Sequence, residues 1–352
     1  MIAVIIAGGK GSRLWPLSTN DYPKHLLKIH GDKSLLQYTY DRAKTVADKI
    51  FVITENSHVN QVAEQLPELK LGETIVSEPG RRGTASCIVY ALSHISKSIP
   101  DANNEPIVFM HADHLIRDIS GFTDSVRYAA TVSEAEKSIV LLGVEPTYPA
   151  TGFGYIERGA NEAVDSKQPF YQVAAFKEKP DLALATQYLE SGRYLWNMGF
   201  FVAPLEVFTE SMRLYAPDLF TNYQTLLQAS EEVVNEAYLT FVDQPIDTAL
   251  IERIETGHLF VVAGTFDWMD VGSFGDLHAS YAHDEDQNYI EGYAAVENVH
   301  DAYIVNKTEV PLAVIGLDNV VVVNTPNGIL VANKSQAQKV KEVVQKLKEM
   351  ES

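Results

Sequence analysis

The residues most able to do chemistry lie near the N-terminus. Ala7-Gly8-Gly9-Lys10-Gly11-Ser12-Arg13-Leu14-Trp15-Pro16-Leu17 is followed by Pro23-Lys24. Glycines placed directly after an apolar run let backbone N–H groups approach an anion closely. Arg13 and Lys24 add the positive charge that a polyphosphate needs. The spacing is neither that of a Walker A loop nor the G-x-G-x-x-G of a dinucleotide site. Taken alone, the glycines favour a tight strand–helix turn with surface cations; the whole run with Pro23-Lys24 favours a phosphate loop. A second candidate is Asp113 in His111-Ala112-Asp113-His114. An aspartate just after a strand is either a metal ligand or a helix N-cap. The same four residues resemble half of an H-x-H-x-D-H zinc motif, but its first histidine would fall at Phe109, which cannot bind metal.

These residues must be held by a sizeable fold. The chain has 352 residues, 46% of them hydrophobic and 21% charged, as in a globular protein with one large and one small domain. Its 28 Lys and Arg against 47 Asp and Glu give a net charge of −19. That field repels polyanions, which argues against a broad nucleic-acid or anionic-membrane surface but does not exclude a small phosphate site. Cys87 is the single cysteine, which rules out an intrachain disulfide and a Cys-based zinc cluster. The apolar start lacks a basic leader and runs into glycines, so it reads as a buried strand and not a signal peptide. No apolar stretch reaches membrane-spanning length, and a cytoplasmic location is expected.

Strand and helix alternate over the first half. Strands are expected at 2–7, 50–54, 74–77, 106–110 and 138–144, and helices near 34–47, 57–66, 84–98 and 121–135. Continuous apolar strands predict an α/β fold with a Rossmann-like, mainly parallel sheet covered on both faces. Ligands bind beyond the carboxyl ends of such strands, where the glycine loop and the Asp113 segment both begin. From 150 to 280, short strands (153–158, 171–178, 200–203, 259–264) mix with helices near 181–191, 205–229 and 246–254. The texture changes after Asp284-Glu285-Asp286-Gln287. Residues 291–331 read as short strands with turns such as Thr325-Pro326-Asn327-Gly328, without an internal repeat. Residues 335–350 read as an amphipathic helix that docks on its own chain or pairs with a second copy as a homodimer. The expected division is a catalytic domain at 1–284 and a small β-rich domain with a terminal helix at 285–352.

The run Gly8-Gly9-x-Gly11-Ser12-Arg13-Leu14-Trp15-Pro16-Leu17 with Pro23-Lys24 resembles the signature of sugar-1-phosphate nucleotidylyltransferases, in the Trp form of the mannose-1-phosphate guanylyltransferases. The resemblance continues in order along nearly the whole chain. Glu78-Pro79 with Arg82-x-Thr84-Ala85, then Ala112-Asp113-His114, Thr151-Gly152-Phe153-Gly154-Tyr155-Ile156, Phe176-Lys177-Glu178-Lys179-Pro180, Trp196-Asn197-x-Gly199 and Trp268-x-Asp270-Val271-Gly272-Ser273 are all similar to family motifs. It implies a nucleotide-diphospho-sugar transferase fold, with GTP and mannose 1-phosphate as substrates, GDP-mannose and pyrophosphate as products, and Mg²⁺ as cofactor. In that reaction a sugar-phosphate oxygen attacks the α-phosphorus. The nucleophile is already an anion, so catalysis needs positioning and charge neutralisation, not a Ser, Cys or His.

The resemblance therefore implies roles. Ala7, Gly8, Gly9, Gly11, Ser12, Arg13 and Lys24 would bind the nucleotide, with Arg13 and Lys24 on the triphosphate. Glu78, Arg82, Thr84 and Ala85 would join them. Asp113 and Asp270 would hold Mg²⁺. Gly154, Glu178, Lys179 and Asn197 would bind the sugar phosphate, with Lys179 on its phosphate. Guanine's two donor groups suit a carboxylate, making Glu78 a candidate base reader, against a capping or surface role. Glu178-Lys179 could equally form an exposed ion pair, and Trp196 and Trp268 could be core aromatics.

Some positions depart from the family form. Thr19 stands for an Arg, Gly83 for an Asn, Ser86 and His111 for Pro, and Met198 for a Ser; the segment Ile246-Asp247-Thr248-Ala249-Leu250-Ile251-Glu252-Arg253 resembles a further family motif, with Arg253 standing for a Lys. The departures at Gly83 and Met198 motivate one alternative, the same chemistry on another sugar 1-phosphate or base; a second, a silent nucleotide-sugar-binding regulatory subunit, is opposed by the retention of Arg13, Lys24, Asp113, Lys179 and Asp270. The family also has long forms fused to a sugar-phosphate isomerase domain. The sequence stops short of one, so no isomerase activity is expected.

Overall fold

The computed structural model describes residues 1–9, 11–29, 31–161 and 168–351, so Lys10 of the glycine run lies outside the described residues. In chain order the strands are β1 (Ile2–Ala7), β2 (Lys49–Glu55), β3 (Ile75–Glu78), β4 (Pro106–His111), β5 (His114–Leu115), β6 (Ile139–Val144), β7 (Gly154–Asn161), β8 (Phe170–Glu178) and β9 (Tyr194–Pro204). They continue with β10 (Leu259–Ala263), β11 (Met269–Asp270), β12 (Tyr289–Glu291), β13 (Ala294–Glu297), β14 (Tyr303–Asn306), β15 (Leu312–Ile315), β16 (Val320–Thr325) and β17 (Gly328–Asn333). The contacts group these into two compact units. The larger comprises Met1–Ala7, Thr39–Ala112 and Ile116–Trp268; the smaller comprises Gly8–Tyr38, Asp113–Leu115 and Met269–Ser352.

The larger unit is built on a nine-stranded sheet in the order β3-β2-β1-β4-β9-β6-β10-β8-β7. All six residues of β1 are buried, as its unbroken apolar run predicts. Ile2, Val4 and Ile6 share a core with Ala85, Ile88, Val89, Leu92 and Ile95 of helix Gly83–Ser98. Full burial of each such aliphatic side chain contributes roughly 1.5–3 kcal/mol.

The sheet is mixed, which corrects the expectation of a mainly parallel one. Strands β1, β2, β3 and β4 run parallel to one another, and β6 is parallel to β10. Strand β9 runs antiparallel to β4, β6 and β7, and β8 runs antiparallel to β7 and β10. Ten of the eleven residues of β9 are buried. An unbroken apolar run records burial on both faces; it carries no information about strand direction.

The parallel half fixes where the chain leaves the sheet. Ile6 lies opposite His111, and the Ala112 amide donates to the Ile6 carbonyl at 3.0 Å. The strand ends preceding Gly8 and Asp113 are therefore neighbours.

In the smaller unit, β12, β14 and β16 stack in parallel in one sheet, and β13 and β15 stack in parallel in another. The chain thus winds in successive rungs, a repeat that the sequence reading missed. Tyr289 faces Tyr303, and Tyr303 faces Val321. Successive rungs differ in length, so no fixed period marks the sequence. Strand β17 closes the stack as an antiparallel hairpin with β16. Leu14, Leu27, Ile29 and Leu35 share one core with Tyr303, Val305, Val321, Val323, Leu330, Ala337 and Val340. The terminal segment, a 3-10 turn over Lys334–Lys339 and an α-helix over Val340–Glu351, thus docks Ala337 and Val340 on its own chain.

Candidate functional site

Within the smaller unit the glycine loop and two aspartates form one cluster. Ser12–Leu14 is a single 3-10 turn entered from Gly11 in the left-handed region. A Cβ built on Gly11 would lie 2.5 Å from the Lys24 Cβ. Gly11 thus has both the conformation and the contact that exclude a side chain, and the contact sets the backbone of Lys24. Ser18 Oγ donates to the Gly11 carbonyl at 2.6 Å, and the Leu14 amide donates to the same oxygen at 2.9 Å. Arg13 is exposed.

Lys24 is buried and donates to Asp113 Oδ2 at 2.9 Å and to Asp270 Oδ1 at 2.8 Å. The aspartates, far apart in sequence, are brought together by the short ladder of β5 and β11, in which Asp270 pairs with His114. With an effective dielectric of about 20, each contact supplies roughly 5–6 kcal/mol of Coulomb attraction before desolvation. Burial alone would lower the Lys24 pKa; the two carboxylates outweigh it and hold it above the usual amine value. Burial likewise pushes Asp270 up, but Lys24 overrides this and the net shift is downward. Behind Asp270, the Gly272 amide and Ser273 hydroxyl donate to Asp276 Oδ2 at 3.1 and 2.8 Å, bracing the turn into helix Phe274–Ser280.

In the larger unit, Glu78 is buried and accepts from the Tyr238 hydroxyl at 2.6 Å. Burial pushes its pKa up to about 7, and the Tyr238 bond offsets only part of this. The neighbouring motif residues are committed to the chain itself. Arg82 donates to the Leu239 carbonyl through Nε and Nη2, at 3.0 and 2.6 Å. Thr84 Oγ1 accepts from the Ile246 amide at 2.9 Å, and the Ala85 amide donates to the Gln244 carbonyl at 3.2 Å. A Cβ on Gly83 would lie 2.2 Å from that same carbonyl oxygen, and Ser86 Oγ donates to the Val242 carbonyl at 3.3 Å. Both departures in this motif therefore accommodate the 242–246 segment.

The expected sugar-side residues do converge. Gly154 pairs with Glu178 of β8 and with Asn197 of β9. A Cβ there would lie 2.6 Å from Glu178 Oε2 and 3.2 Å from the Asn197 Cβ, so a side chain would fill the space between them. Asn197 Nδ2 donates to Asp247 Oδ1 at 2.8 Å, and its Oδ1 accepts from the Gly199 amide at 3.1 Å. Lys179 pairs with Glu178 and occupies the left-handed region at φ 46, a strained conformation for a non-glycine residue. Asp247 is the member that sequence reasoning missed. Burial, then the Glu178 charge, push it up to about 6. Its segment Ile246-Asp247-Thr248-Ala249 resembled a family motif, and that was the available signal. Phe153 lies between Trp196 and Trp268, with ring centroids 5.2 and 5.1 Å away, so all three are aromatic packing. His111 supports Gly199, where a Cβ would lie 2.9 Å from its Nε2. Phe109 is core, edge-on to Phe208.

The family model described as nucleotidyl transferase matches residues 2–287. The mannose-1-phosphate guanylyltransferases of Klebsiella pneumoniae and Escherichia coli are each 36% identical over 99% of this chain and 74% of their own length. The chain belongs to the nucleotidyl transferase family, alongside these enzymes. A second model, the MannoseP isomerase/GMP-like beta-helix domain, matches residues 298–347 and accounts for the parallel rungs. A solved structure from Thermus thermophilus, described as a mannose-1-phosphate geranyltransferase, superposes with a TM-score of 0.85 at 28% identity over 99% of both chains.

For a nucleotidyl transferase the aspartate pair has a clear use. Two carboxylate oxygens converge on one buried cation, and hard oxygen donors of this kind suit Mg²⁺, which is often held by one or two carboxylates together with substrate phosphates. The donor set therefore fits the cofactor that the family resemblance implies.

Proposed function

We propose that this nucleotidyl transferase converts GTP and α-D-mannose 1-phosphate to GDP-mannose and pyrophosphate. The convergence of Lys24, Asp113 and Asp270 beside the glycine loop carries the reading. Asp113 and Asp270 would hold Mg²⁺, which when bound neutralises phosphate charge and polarises the α-phosphorus. Ala7, Gly8, Gly9, Gly11 and Ser12 would line the triphosphate with backbone N–H groups, and Arg13 would bind its outer oxygens. Lys24, fixed on the carboxylates, would offset charge as pyrophosphate departs. Lys179 would bind the phosphate of the sugar substrate, whose oxygen forms the new bond to the α-phosphorus as the bridge to the β-phosphate breaks. Glu178 and Asn197, oriented by Asp247, would hold sugar hydroxyls. Glu78 would face guanine. Arg82, Thr84 and Ala85 would shape that side through the 239–246 segment they bind.

The proposal retains residues 1–284 as the catalytic portion and 285–352 as the β-rich portion. It also retains a cytoplasmic location; among the described residues no helix is long and apolar enough to cross a membrane. The departures that suggested another sugar or base have packing explanations: Gly83 abuts Gln244, and Met198 is buried.

The test is pyrophosphate release with Mg²⁺ across GTP, ATP, dTTP, CTP and UTP, each paired with mannose 1-phosphate and glucose 1-phosphate. Release with GTP and mannose 1-phosphate alone is expected. Another productive pair would keep the chemistry and change the substrate; release with none would point to a binding subunit.

A further inference from the structure

We propose that the turn Thr325-Pro326-Asn327-Gly328 positions the phosphate loop, with Asn327 and Gly328 acting through Pro16 and Trp15. The inference rests on the reading of residues 8–13 as the triphosphate cradle and extends it to residues distant in sequence. All the contacts that carry it lie within the smaller unit.

Trp15 directly follows the Ser12–Leu14 turn. Its six-membered ring lies against Gly328: a Cβ built there would fall 2.6 Å from Cζ2 and 2.8 Å from Cη2. Gly328 has φ 145, a conformation rarely adopted by other residues. The next residue of the loop is held by a different kind of contact. The Pro16 carbonyl accepts from Thr325 Oγ1 at 3.3 Å and from Asn327 Nδ2 at 3.4 Å. Two consecutive loop residues are thus gripped by one turn, one through its ring and one through its backbone oxygen.

The turn is itself stiff. It closes the β16–β17 hairpin, with Thr325 opposite Gly328, and the Asn327 amide donates to Thr325 Oγ1 at 3.0 Å. Val323 and Leu330, on either side, are buried in the core shared with Leu14. In the other direction the loop hands the constraint on. Leu14 and Ser18, flanking Trp15 and Pro16, both bond the Gly11 carbonyl, and Gly11 abuts Lys24. A shift of Trp15 would therefore move the backbone that presents N–H groups to phosphate and the backbone of Lys24. Ser12, Trp15 and Ser18 also border a cavity of about 490 Å³ shared with Asn327, Val344 and Leu347.

The test uses the full chain and separate KM values for GTP and mannose 1-phosphate, with a thermal melt for every variant. Gly328→Ala is expected to raise the GTP KM about tenfold or more, since small misplacements of a binding loop are costly. Its mannose 1-phosphate KM should stay within about twofold of wild type. Trp15→Phe added to Gly328→Ala should recover most of the loss, because phenylalanine lacks the outer indole atoms that the new methyl meets. This coupling is read as a double-mutant cycle. Asn327→Ala should act in the same direction by a few-fold, and it carries the test if Gly328→Ala does not fold.

A folded Gly328→Ala variant, or failing that Asn327→Ala, with an unchanged GTP KM overturns the inference. So does an equal rise in both KM values. Wild-type turnover is measured in parallel. Its absence with GTP and mannose 1-phosphate overturns the functional reading, and this inference with it, whereas turnover with unaltered variant constants overturns the inference alone.

Discussion

The cluster around Lys24 and the cluster around Asn197 use the same kinds of side chain to opposite electrostatic effect. In the first, one buried ammonium sits between two carboxylates and keeps its charge against the cost of burial. In the second, Asp247 is crowded by burial and by Glu178 and is pushed up to about 6, with the Asn197 amide as its hydrogen-bond donor. Closed opposite charges form a centre whose ionic groups stay charged, as the proposed phosphate side requires. Crowded carboxylates beside an oriented amide form a surface for neutral hydroxyls, which can donate to the one and accept from the other. The two halves of a sugar-nucleotide reaction call for that division.

The comparison breaks most sharply at Asp270. Asp270→Asn keeps shape but halves the negative charge of the pair, and turnover should fall by about a thousandfold, as for other preorganised charge-stabilising groups. Initial rates of pyrophosphate release across a Mg²⁺ titration would measure it. A change confined to the mannose 1-phosphate KM would erase the distinction between the clusters.

Asp247→Ala sharpens the second half. It removes the acceptor that orients the Asn197 amide, so the mannose 1-phosphate KM should rise about tenfold, the effect of roughly one hydrogen bond, while the GTP KM is unchanged. Paired substrate titrations would separate the two constants, and a shift in both would make Asp247 merely structural.

The smallest effect is expected at Glu78. Its pKa is raised to about 7 in the folded chain, so the native state binds this proton more tightly than the unfolded chain does. The resulting stability is fully present below the ordinary carboxylate pKa, near 4.5, and is lost as pH rises through 7. Glu78→Gln, which does not titrate, should therefore gain on wild type between pH 5 and pH 8, by a few degrees in Tm. Melts at both pH values test this. In the same variant, a weakened preference for GTP over ATP would support the base-reading role.

Much of this was legible in sequence, for physical reasons that also mark its limit. The apolar runs located β1, β2, β4 and β6 because strands buried on both faces must be apolar throughout. They could not report that β9 enters the sheet antiparallel. The expected helix over 205–229 is broken into Leu205–Tyr215 and Pro217–Gln228, because Pro217 lacks the N–H and clashes with a preceding turn. Helix Glu231–Leu239 was missed, although its Tyr238 is the partner of Glu78.

Candidate residues that the fold brings together were legible where a motif and its expected chemistry coincide, as at Lys24, Asp113 and Asp270. They were not where a motif residue serves the chain itself. Nothing local to Arg82 or Thr84 tells that their partners are Leu239 and Ile246. Nor does anything near Trp15 reveal Gly328, since the contact joins opposite ends of the sequence.

The central claim is that GTP is attacked at its α-phosphorus by the phosphate of mannose 1-phosphate. Incubating the full chain with Mg²⁺, mannose 1-phosphate and GTP labelled at the α-phosphorus tests it directly. The account predicts that the label appears in GDP-mannose and none in pyrophosphate, and that Asp113→Asn abolishes the transfer. Label in GMP without sugar, or transfer that survives in Asp113→Asn, would contradict it.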